Sequence, residues 1–335
     1  MQRPRVLVVD DSAFARTVLA RMLRAHDIDV VATARDGDDA LERIAALDPD
    51  VVTLDLTMPG RDGLDVLREL GGRARPRVIV VSISDVDTER GAEALTLGAI
   101  DLVAKPTALA SDRLHEITDE LVAKVLAASL APPVQAIPGR AVRRITAAHA
   151  ELVMIGTSTG GPQALSRVIS ALPQDLRAPV AVVLHIPAGF TEALAQRLDR
   201  SSAIHVVEAV DGLEVVPGVV VIARGGSHLR IHRRGGTLRA EVSPLPVRLH
   251  VPSVDELLLS GADAVGAGAL GIVLTGMGND GLEGARAIAA VGGTLITESA
   301  ATCVVYGMPR SIDEAALGSV SVRLEEIAQE IIARV

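Results

Sequence analysis

Short runs of β-branched and aliphatic residues alternate with amphipathic segments along the whole chain. In the first third, the apolar runs are residues 5–9, 29–33, 51–54, 78–81 and 101–103, and the helical segments between them include 12–25 and 38–47. Strands that alternate with helices predict a parallel sheet covered by helices. Five strands in this rhythm predict a flavodoxin-like, doubly wound α/β domain.

A second set of the same kind follows a break in the pattern. Residues 125–149 include the segment APPVQAIPGR, whose three prolines interrupt any regular element, so we expect domains at 1–124 and 150–335 joined by a linker. Strand-like runs resume at 152–155, 180–184, 219–222, 270–274 and 294–297. Residues 224–242 are glycine-rich and alternate like an antiparallel hairpin. The second domain is therefore predicted to be a doubly wound, mostly parallel α/β domain with a small antiparallel hairpin.

Composition and charge exclude several classes of protein. Hydrophobic residues make up 49% of the chain and aromatic residues only 1%, so the core must be aliphatic. The net charge is −9 with no long basic run, which argues against a nucleic-acid-binding output domain. The single cysteine, Cys303, permits no internal disulfide and fits a reducing cytoplasm. No apolar run approaches the ~18 residues of a membrane span. We expect a soluble cytoplasmic protein that does not insert into membranes.

Acidic residues follow two strands of the first domain. Asp10 and Asp11 come directly after the first strand, and Asp55 follows the third. The carboxyl ends of parallel strands meet at one edge of a sheet, so the three carboxylates should lie together. They repel one another unless a divalent cation neutralises them, and Mg²⁺ prefers oxygen ligands with retained waters. The sequence therefore predicts a Mg²⁺ site.

Ser82 and Lys105 follow the fourth and fifth strands. Lys105 can pair with a phosphoryl group at the same edge, and the Ser82 hydroxyl can donate to one of its oxygens. Taken singly, the aspartates can equally be helix caps and Lys105 a solvated surface lysine. Five residues of suitable types at successive strand ends favour the phosphoryl site.

The first 108 residues resemble the response-regulator receiver family. The resemblance is carried by VLVVDDSAFAR, by DLTMPGRDGL around Asp55, by VSIS and by LGAIDLVAKP. It implies that Asp55 accepts a phosphoryl group from a histidine kinase while Asp10, Asp11 and Asp55 hold Mg²⁺. One position departs from the pattern: Leu102 stands where receivers usually carry an aromatic switch residue. An aromatic swing is therefore not how this domain reports its phosphorylation.

A glycine-rich turn opens the second domain. GTSTGG, with Ser158 at its centre, lies between a strand and Pro162, which suits the first turn of a helix. This G-x-S-x-G context exposes a serine on a tight turn, where helix N-terminal N–H groups favour an oxyanion. The alternative is a dinucleotide phosphate turn, which requires an acidic residue at the end of the next strand. That strand ends in His185 instead, and Asp175 lies in the loop before it.

Two further strand ends complete a catalytic pattern. His185 beside an exposed serine is a candidate general base. Asp280, within TGMGNDG after the strand at 270–274, suits the carboxylate that orients an imidazole. Individually, Ser158 can be a turn residue, His185 structural and Asp280 a helix cap. Their occurrence together favours acyl transfer.

The second domain resembles the catalytic domain of the chemotaxis protein-glutamate methylesterases, the CheB family. The motifs, from about 150 to 330, are GTSTGGPQAL, HIPAGFTEALAQRL, HVPSVDELLLSGA, LTGMGNDGLEGA and VVYGMP. The resemblance implies that Ser158 is the nucleophile, His185 the general base and acid, and Asp280 the orienting carboxylate. It further implies that the backbone N–H groups of Thr159 and Met277 form the oxyanion hole.

The implied substrate is a methylated chemoreceptor, whose glutamate methyl esters release methanol without a metal. Receptor glutamines present the same carbonyl to the same groups, so deamidation is expected too. Arg224 and the segment TESAATC depart from the family pattern away from the triad. Two other hypotheses are a binding module that has lost catalysis, which the complete triad disfavours, and a nucleotide-binding output domain, which His185 disfavours.

Overall fold

The computed structural model describes residues 3–71, 76–82, 88–105, 111–130 and 149–335. The chain divides into two compact units, Met1–Pro133 and Val134–Val335. Each unit is built on its own parallel sheet.

The first unit is a five-stranded sheet in the order β2-β1-β3-β4-β5, parallel throughout. Its strands are β1 (Arg5–Val9), β2 (Asp29–Ala34), β3 (Val51–Leu54), β4 (Arg77–Ser82) and β5 (Asp101–Ala104). Its helices are α1 (Ala13–Arg24), α2 (Gly37–Leu47), α3 (Gly63–Leu70), α4 (Thr88–Thr96) and α5 (Ser111–Leu130). The predicted flavodoxin-like fold is confirmed.

Local sequence explains where these helices begin. The Ser12 side chain caps α1 by accepting from the Ala15 N–H, and Asp62 with Asp65 forms a capping box at α3. Helix α5 runs to Leu130, so residues 125–130 of the predicted linker are helical. The rest of that linker, up to residue 148, lies outside the described residues.

The second unit contains a seven-stranded sheet in the order β14-β13-β12-β6-β7-β9-β8, with every pairing parallel. Its strands are β6 (Leu152–Thr157), β7 (Val180–Leu184), β8 (His205–Glu208), β9 (Val219–Ile222), β10 (His228–Arg234), β11 (Thr237–Ser243), β12 (Ala269–Val273), β13 (Thr294–Glu298) and β14 (Val320–Val322). Its helices are α6 (Gly161–Ser170), α7 (Phe190–Ser201), α8 (Val254–Val265), α9 (Leu282–Ala290), α10 (Met308–Glu314) and α11 (Leu324–Ile332). Strands β10 and β11 form the predicted antiparallel hairpin.

The order of strands in this second sheet creates one crevice. From β6 the chain proceeds to β7 on one side of the sheet, and it returns later to place β12 on the other side. The carboxyl ends of β6 and β12 therefore form a topological switch point, where doubly wound sheets bind ligands. The edge strands β8 and β14 were not predicted, since both are short and only partly buried.

The core beneath this crevice is aliphatic, as the composition predicted. Strands β6, β7 and β12 are buried along their whole length. The hairpin packs on α8 through Leu229 and Ile231, and the Ser260 hydroxyl on α8 accepts a hydrogen bond from the Ile231 N–H at 3.0 Å. Helix α8 is thereby fixed between the hairpin and the sheet.

Close packing of α8 on β6 leaves no room for a side chain at Gly156. A Cβ there would lie 2.1 Å from Cγ1 of Val254, a stiff β-branched residue at the start of α8. We expect Gly156→Ala to lower the free energy of unfolding by about 1–3 kcal/mol, measured in urea. Adding Val254→Ala should make the double variant less destabilised than the sum of the single ones. A single variant as stable as the parent would contradict this packing.

Candidate active site and phosphoryl-acceptor site

Three carboxylates converge at the carboxyl edge of the first sheet. Oxygen atoms of Asp10, Asp11 and Asp55 all lie within 4.8 Å of one another. Strand β1 pairs with β3, and the Asp55 N–H donates to the Val9 carbonyl at 3.0 Å, which places the residues after both strands side by side. Asp10 and Asp55 are buried, whereas Asp11 is exposed. The cluster predicted from the strand ends is therefore formed.

Lys105 lies between the two buried carboxylates. Its Nζ is 2.8 Å from Asp10 Oδ2 and 2.7 Å from Asp55 Oδ2. Burial alone would lower the pKa of Lys105, but the hydrogen bonds to these carboxylates outweigh it and raise that pKa. Burial raises the pKa of Asp55 despite the nearby ammonium. The Lys105 N–H also donates to the carbonyl of buried Ser82 at 2.7 Å, so all five predicted residues belong to this edge.

The donor set fits a hard divalent cation. All three ligand groups are carboxylates, and exposed Asp11 leaves room for waters, as Mg²⁺ requires. Arg16 was not anticipated: its guanidinium donates to the carbonyls of Asp10 at 2.7 Å and Asp11 at 2.9 Å. One turn into α1, it holds the acidic loop in place.

The turn that carries Ser158, the predicted nucleophile, joins β6 to α6, and we call it the nucleophile turn. Gly160 has φ +82°, a left-handed conformation that glycine adopts without strain, and the Gly161 N–H donates to the Ser158 carbonyl at 2.7 Å. A Cβ on Gly276 would lie 2.9 Å from the Ser158 Cβ. The loop after β12 therefore needs glycine to approach the serine, and it places the Met277 peptide close to Ser158.

Thr275 fastens these two loops together, and the motif analysis did not single it out. Its carbonyl accepts from the Ser158 N–H at 3.0 Å and from the Thr157 hydroxyl at 2.7 Å. Its own hydroxyl donates to the Thr159 carbonyl at 2.9 Å. Three consecutive residues of the nucleophile turn are thus anchored on one threonine.

The predicted imidazole and carboxylate are in direct contact. His185 Nε2 is 2.8 Å from Asp280 Oδ2, and both side chains are largely buried. The His185 N–H donates to the Thr157 carbonyl at 3.1 Å, which keeps the histidine next to the nucleophile turn. Within the described ranges, Nδ1 of His185 has no hydrogen-bond partner and Ser158 is not bonded to it. The ring of His250 stacks on His185 with centroids 4.2 Å apart.

The carboxylate of Asp280 is held by the start of α8. It accepts hydrogen bonds from the Ser253 hydroxyl at 2.9 Å, the Val254 N–H at 2.8 Å and the Asp255 N–H at 2.9 Å. Burial alone would raise the pKa of Asp280, but the hydrogen bond to His185 and those from Asp255 and Val254 lower it well below the usual range. The positive end of the helix dipole acts in the same direction. The carboxylate therefore stays ionised.

The S-x-x-E pattern at 253–256 is typical of a capping box, yet Ser253 makes no side-chain cap to its own helix. Asp280, from a loop distant in sequence, takes the N-terminal N–H groups instead.

The N–H groups of Thr159 and Met277 are both available to an incoming group. Neither donates a hydrogen bond within the part of the chain that the structure describes. The Gly276 carbonyl accepts from the Gly307 and Met308 N–H groups at 3.1 and 2.9 Å, which fixes the loop carrying Met277. Free N–H groups in the loops beside a serine are the kind of donor that stabilises a developing oxyanion.

Comparisons with known proteins show which families the two domains match. The CheB methylesterase family model matches residues 153–331, and the response regulator receiver domain model matches 6–119. The chain is 54% identical to protein-glutamate methylesterase/protein-glutamine glutaminase 5 of Myxococcus xanthus, over 96% of this chain and 95% of that protein. It is 46% identical to the protein-glutamate methylesterase/protein-glutamine glutaminase of Symbiobacterium thermophilum, over 94% and 92%. The Thermotoga maritima CheB methylesterase catalytic domain matches with TM-score 0.54 at 40% identity, over 56% of this chain and 99% of that one.

Removing the Ser253 hydroxyl should loosen the carboxylate that orients His185. A hydrogen bond to a charged acceptor contributes about 1.5 kcal/mol or more, so Ser253→Ala should slow labelling of Ser158 by a serine-reactive fluorophosphonate about tenfold. Ser243→Ala, at the end of hairpin strand β11, is the control and should label at the parent rate. Equal rates for both variants would show that Ser253 does not support the triad.

Proposed function

The chain belongs to the CheB methylesterase family, with a receiver domain ahead of the esterase domain, and from this we propose that it hydrolyses glutamate methyl esters on chemoreceptors with Ser158 as the nucleophile. It is a protein-glutamate methylesterase under the control of receiver phosphorylation. The proposed division is a receiver at 1–124, a linker at 125–149 and the catalytic domain at 150–335. One observation carries the proposal: the His185–Asp280 pair lies beside a serine on a strand–turn–helix elbow.

The proposed reaction is acyl transfer. The Ser158 hydroxyl attacks the γ-carbonyl of the ester, and its proton passes to Nδ1 of His185, the ring nitrogen that Asp280 leaves free. The tetrahedral oxyanion accepts hydrogen bonds from the N–H groups of Thr159 and Met277, each of which is worth about 10²–10³ in rate. His185 returns the proton to the departing methanol. Water, activated by the same imidazole, then hydrolyses the acyl-enzyme.

The ionised state of Asp280 supports this cycle at both proton transfers. Its carboxylate fixes the ring orientation of His185 and stabilises the imidazolium that forms when Ser158 loses its proton. The hydrogen bonds from the start of α8 keep the carboxylate charged and still. The proposed cycle assigns both proton transfers to His185 and the stabilisation of its charge to Asp280.

The same groups can deamidate a receptor glutamine. Its side chain presents the same carbonyl, and ammonia leaves in place of methanol after receiving a proton from His185. The names of the two curated relatives include protein-glutamine glutaminase. We include deamidation in the proposed activity for these reasons.

In the receiver we propose that Asp55 accepts the phosphoryl group from a histidine kinase. Mg²⁺ held by Asp10, Asp11 and Asp55 would offset the negative charge of that group. Lys105 would pair with the phosphoryl oxygens, and the Ser82 hydroxyl would donate to one of them. A cytoplasmic location is part of the proposal. None of the helices in the described part of the chain has the length and apolar character of a membrane span.

Replacing Ser158 should remove ester hydrolysis and leave phosphorylation of Asp55 intact. Ser158→Ala in the full chain should reduce methanol release from methylated receptor by at least about a thousandfold, because no covalent intermediate can form. Labelling of Asp55 by acetyl phosphate should be unchanged. Ser170→Ala, at the end of α6, is the control and should hydrolyse the ester normally. Turnover of Ser158→Ala near the parent rate would remove Ser158 from the mechanism.

The acceptor carboxylate can be tested independently. Asp55→Asn cannot form an acyl phosphate, so acetyl phosphate should neither label the protein nor stimulate its ester hydrolysis. In the parent, stimulation of roughly 5–150-fold is the usual scale of coupling between two sites. Asp38→Asn, at an exposed position on α2, is the control and should behave as the parent. Stable labelling of Asp55→Asn would show that another residue is the acceptor.

A further inference from the structure

Glu298 is a buried carboxyl group for which the mechanism above has no use. It is the last residue of β13, paired with Val322 of β14, and its exposed fraction is 0%. Burying a carboxylate is costly unless a cation or several donors compensate it. Among the residues that the structure describes, no lysine, arginine or histidine forms an ion pair with it. Its position in the fold therefore requires an explanation.

One oxygen of this carboxyl bonds to Thr275, the residue that anchors the nucleophile turn. Glu298 Oε2 accepts a hydrogen bond from the Thr275 N–H at 2.8 Å. The carbonyl and hydroxyl of Thr275 hold residues 157–159, as described above. Glu298 thus fixes the third polar group of the threonine that aligns Ser158.

The contact between Glu298 and Thr275 is also linked to the loop that carries Met277, a proposed oxyanion donor. The Thr275 hydroxyl accepts from the Val305 N–H at 2.9 Å, and the Val305 carbonyl accepts from the Gly276 N–H at 3.0 Å. A shift of the Thr275 backbone would therefore move both the nucleophile turn and the loop that carries Met277. The anchor on Thr275 N is the only one of these bonds made by an ionisable side chain.

The other oxygen shows which form of the acid the site favours. Glu298 Oε1 is buried and has no hydrogen-bond partner in the described ranges. The Thr275 N–H, the Thr302 hydroxyl and the Cys303 thiol each act to lower the pKa of Glu298, whereas Glu325 of α11 adds a like charge that raises it. Burial, the largest effect, outweighs these donors and raises the pKa of Glu298 to about 7. The neutral acid, which still accepts from Thr275, is the form that fits.

We propose that Glu298 is a positioning residue for ester hydrolysis: its neutral carboxyl, acting through Thr275, aligns the nucleophile turn with the oxyanion donors. This inference rests on the proposed esterase function. When Glu298 ionises, an uncompensated charge appears under the site. The interior must relax to solvate it, and the charge repels the developing oxyanion. Activity should then fall as the carboxyl loses its proton.

Glu298→Gln is the decisive variant, because the amide keeps an acceptor for Thr275 and cannot ionise. In the full chain, the parent should lose kcat for methylated receptor as the pH rises through about 7. Glu298→Gln should lack that limb of the pH profile and match the parent at pH 6. Glu298→Ala should lose about tenfold in kcat at every pH with KM unchanged. The control is Glu330→Gln, a buried carboxyl paired with Arg334, which should keep the parent profile.

Two further measurements keep the outcomes distinct. Because its folded-state pKa lies above the ordinary 4.5, Glu298 contributes stability that is complete below about pH 4.5 and lost as the pH rises through about 7. The Tm of Glu298→Gln relative to the parent should therefore increase between pH 5 and pH 8. Fluorophosphonate labelling of Ser158 needs no receptor, so it reports the effect of Glu298 even if the ester substrate is wrong. Identical pH profiles of labelling and turnover for parent and Glu298→Gln would overturn the inference.

Discussion

The orientation of the His185 imidazole depends on four hydrogen bonds that converge on one carboxylate. Asp280 accepts from His185, from the Ser253 hydroxyl and from two N–H groups at the start of α8. Helix α8 is itself packed between the hairpin and β6, where Gly156 allows it to approach. The glycine in the strand, the position of the helix and the orientation of His185 are therefore linked. A change in the packing of α8 must also move the histidine.

The chain stabilises three buried carboxyl groups in three different ways. Asp280 receives backbone N–H donors, which lower its pKa and keep it charged. Asp55 shares the ammonium of Lys105, yet burial still raises its pKa. Glu298 receives one N–H and no cation among the described residues, so burial raises its pKa to about 7. The supply of donors and cations thus decides how far the pKa of each buried carboxyl departs from its ordinary value.

Sequence reasoning predicted the residues that directly follow central strands, because parallel strands bring their carboxyl ends to one edge. Asp10, Asp55 and His185 directly follow β1, β3 and β7, and Asp280 lies in the loop between β12 and α9. Residues that act through long-range contacts left no local signal. Thr275 bonds to Thr159 across 116 positions of sequence, and Ser253 reads as an ordinary helix cap although its hydroxyl donates to Asp280. Edge strands β8 and β14 were missed because short, half-buried runs do not differ from loops.

The receiver must report phosphorylation without an aromatic switch. Leu102 is buried in β5, and Lys124 donates to its carbonyl at 2.7 Å and to Asp101 at 2.9 Å, which holds this strand firmly. Lys105 now divides its charge between Asp10 and Asp55, and a phosphoryl group on Asp55 would compete for it. Its N–H is bonded to the Ser82 carbonyl, so a shift of Lys105 moves the ends of β4 and β5 together. We therefore expect the structural effect of phosphorylation to be transmitted from the acceptor site through the backbone at the ends of these two strands.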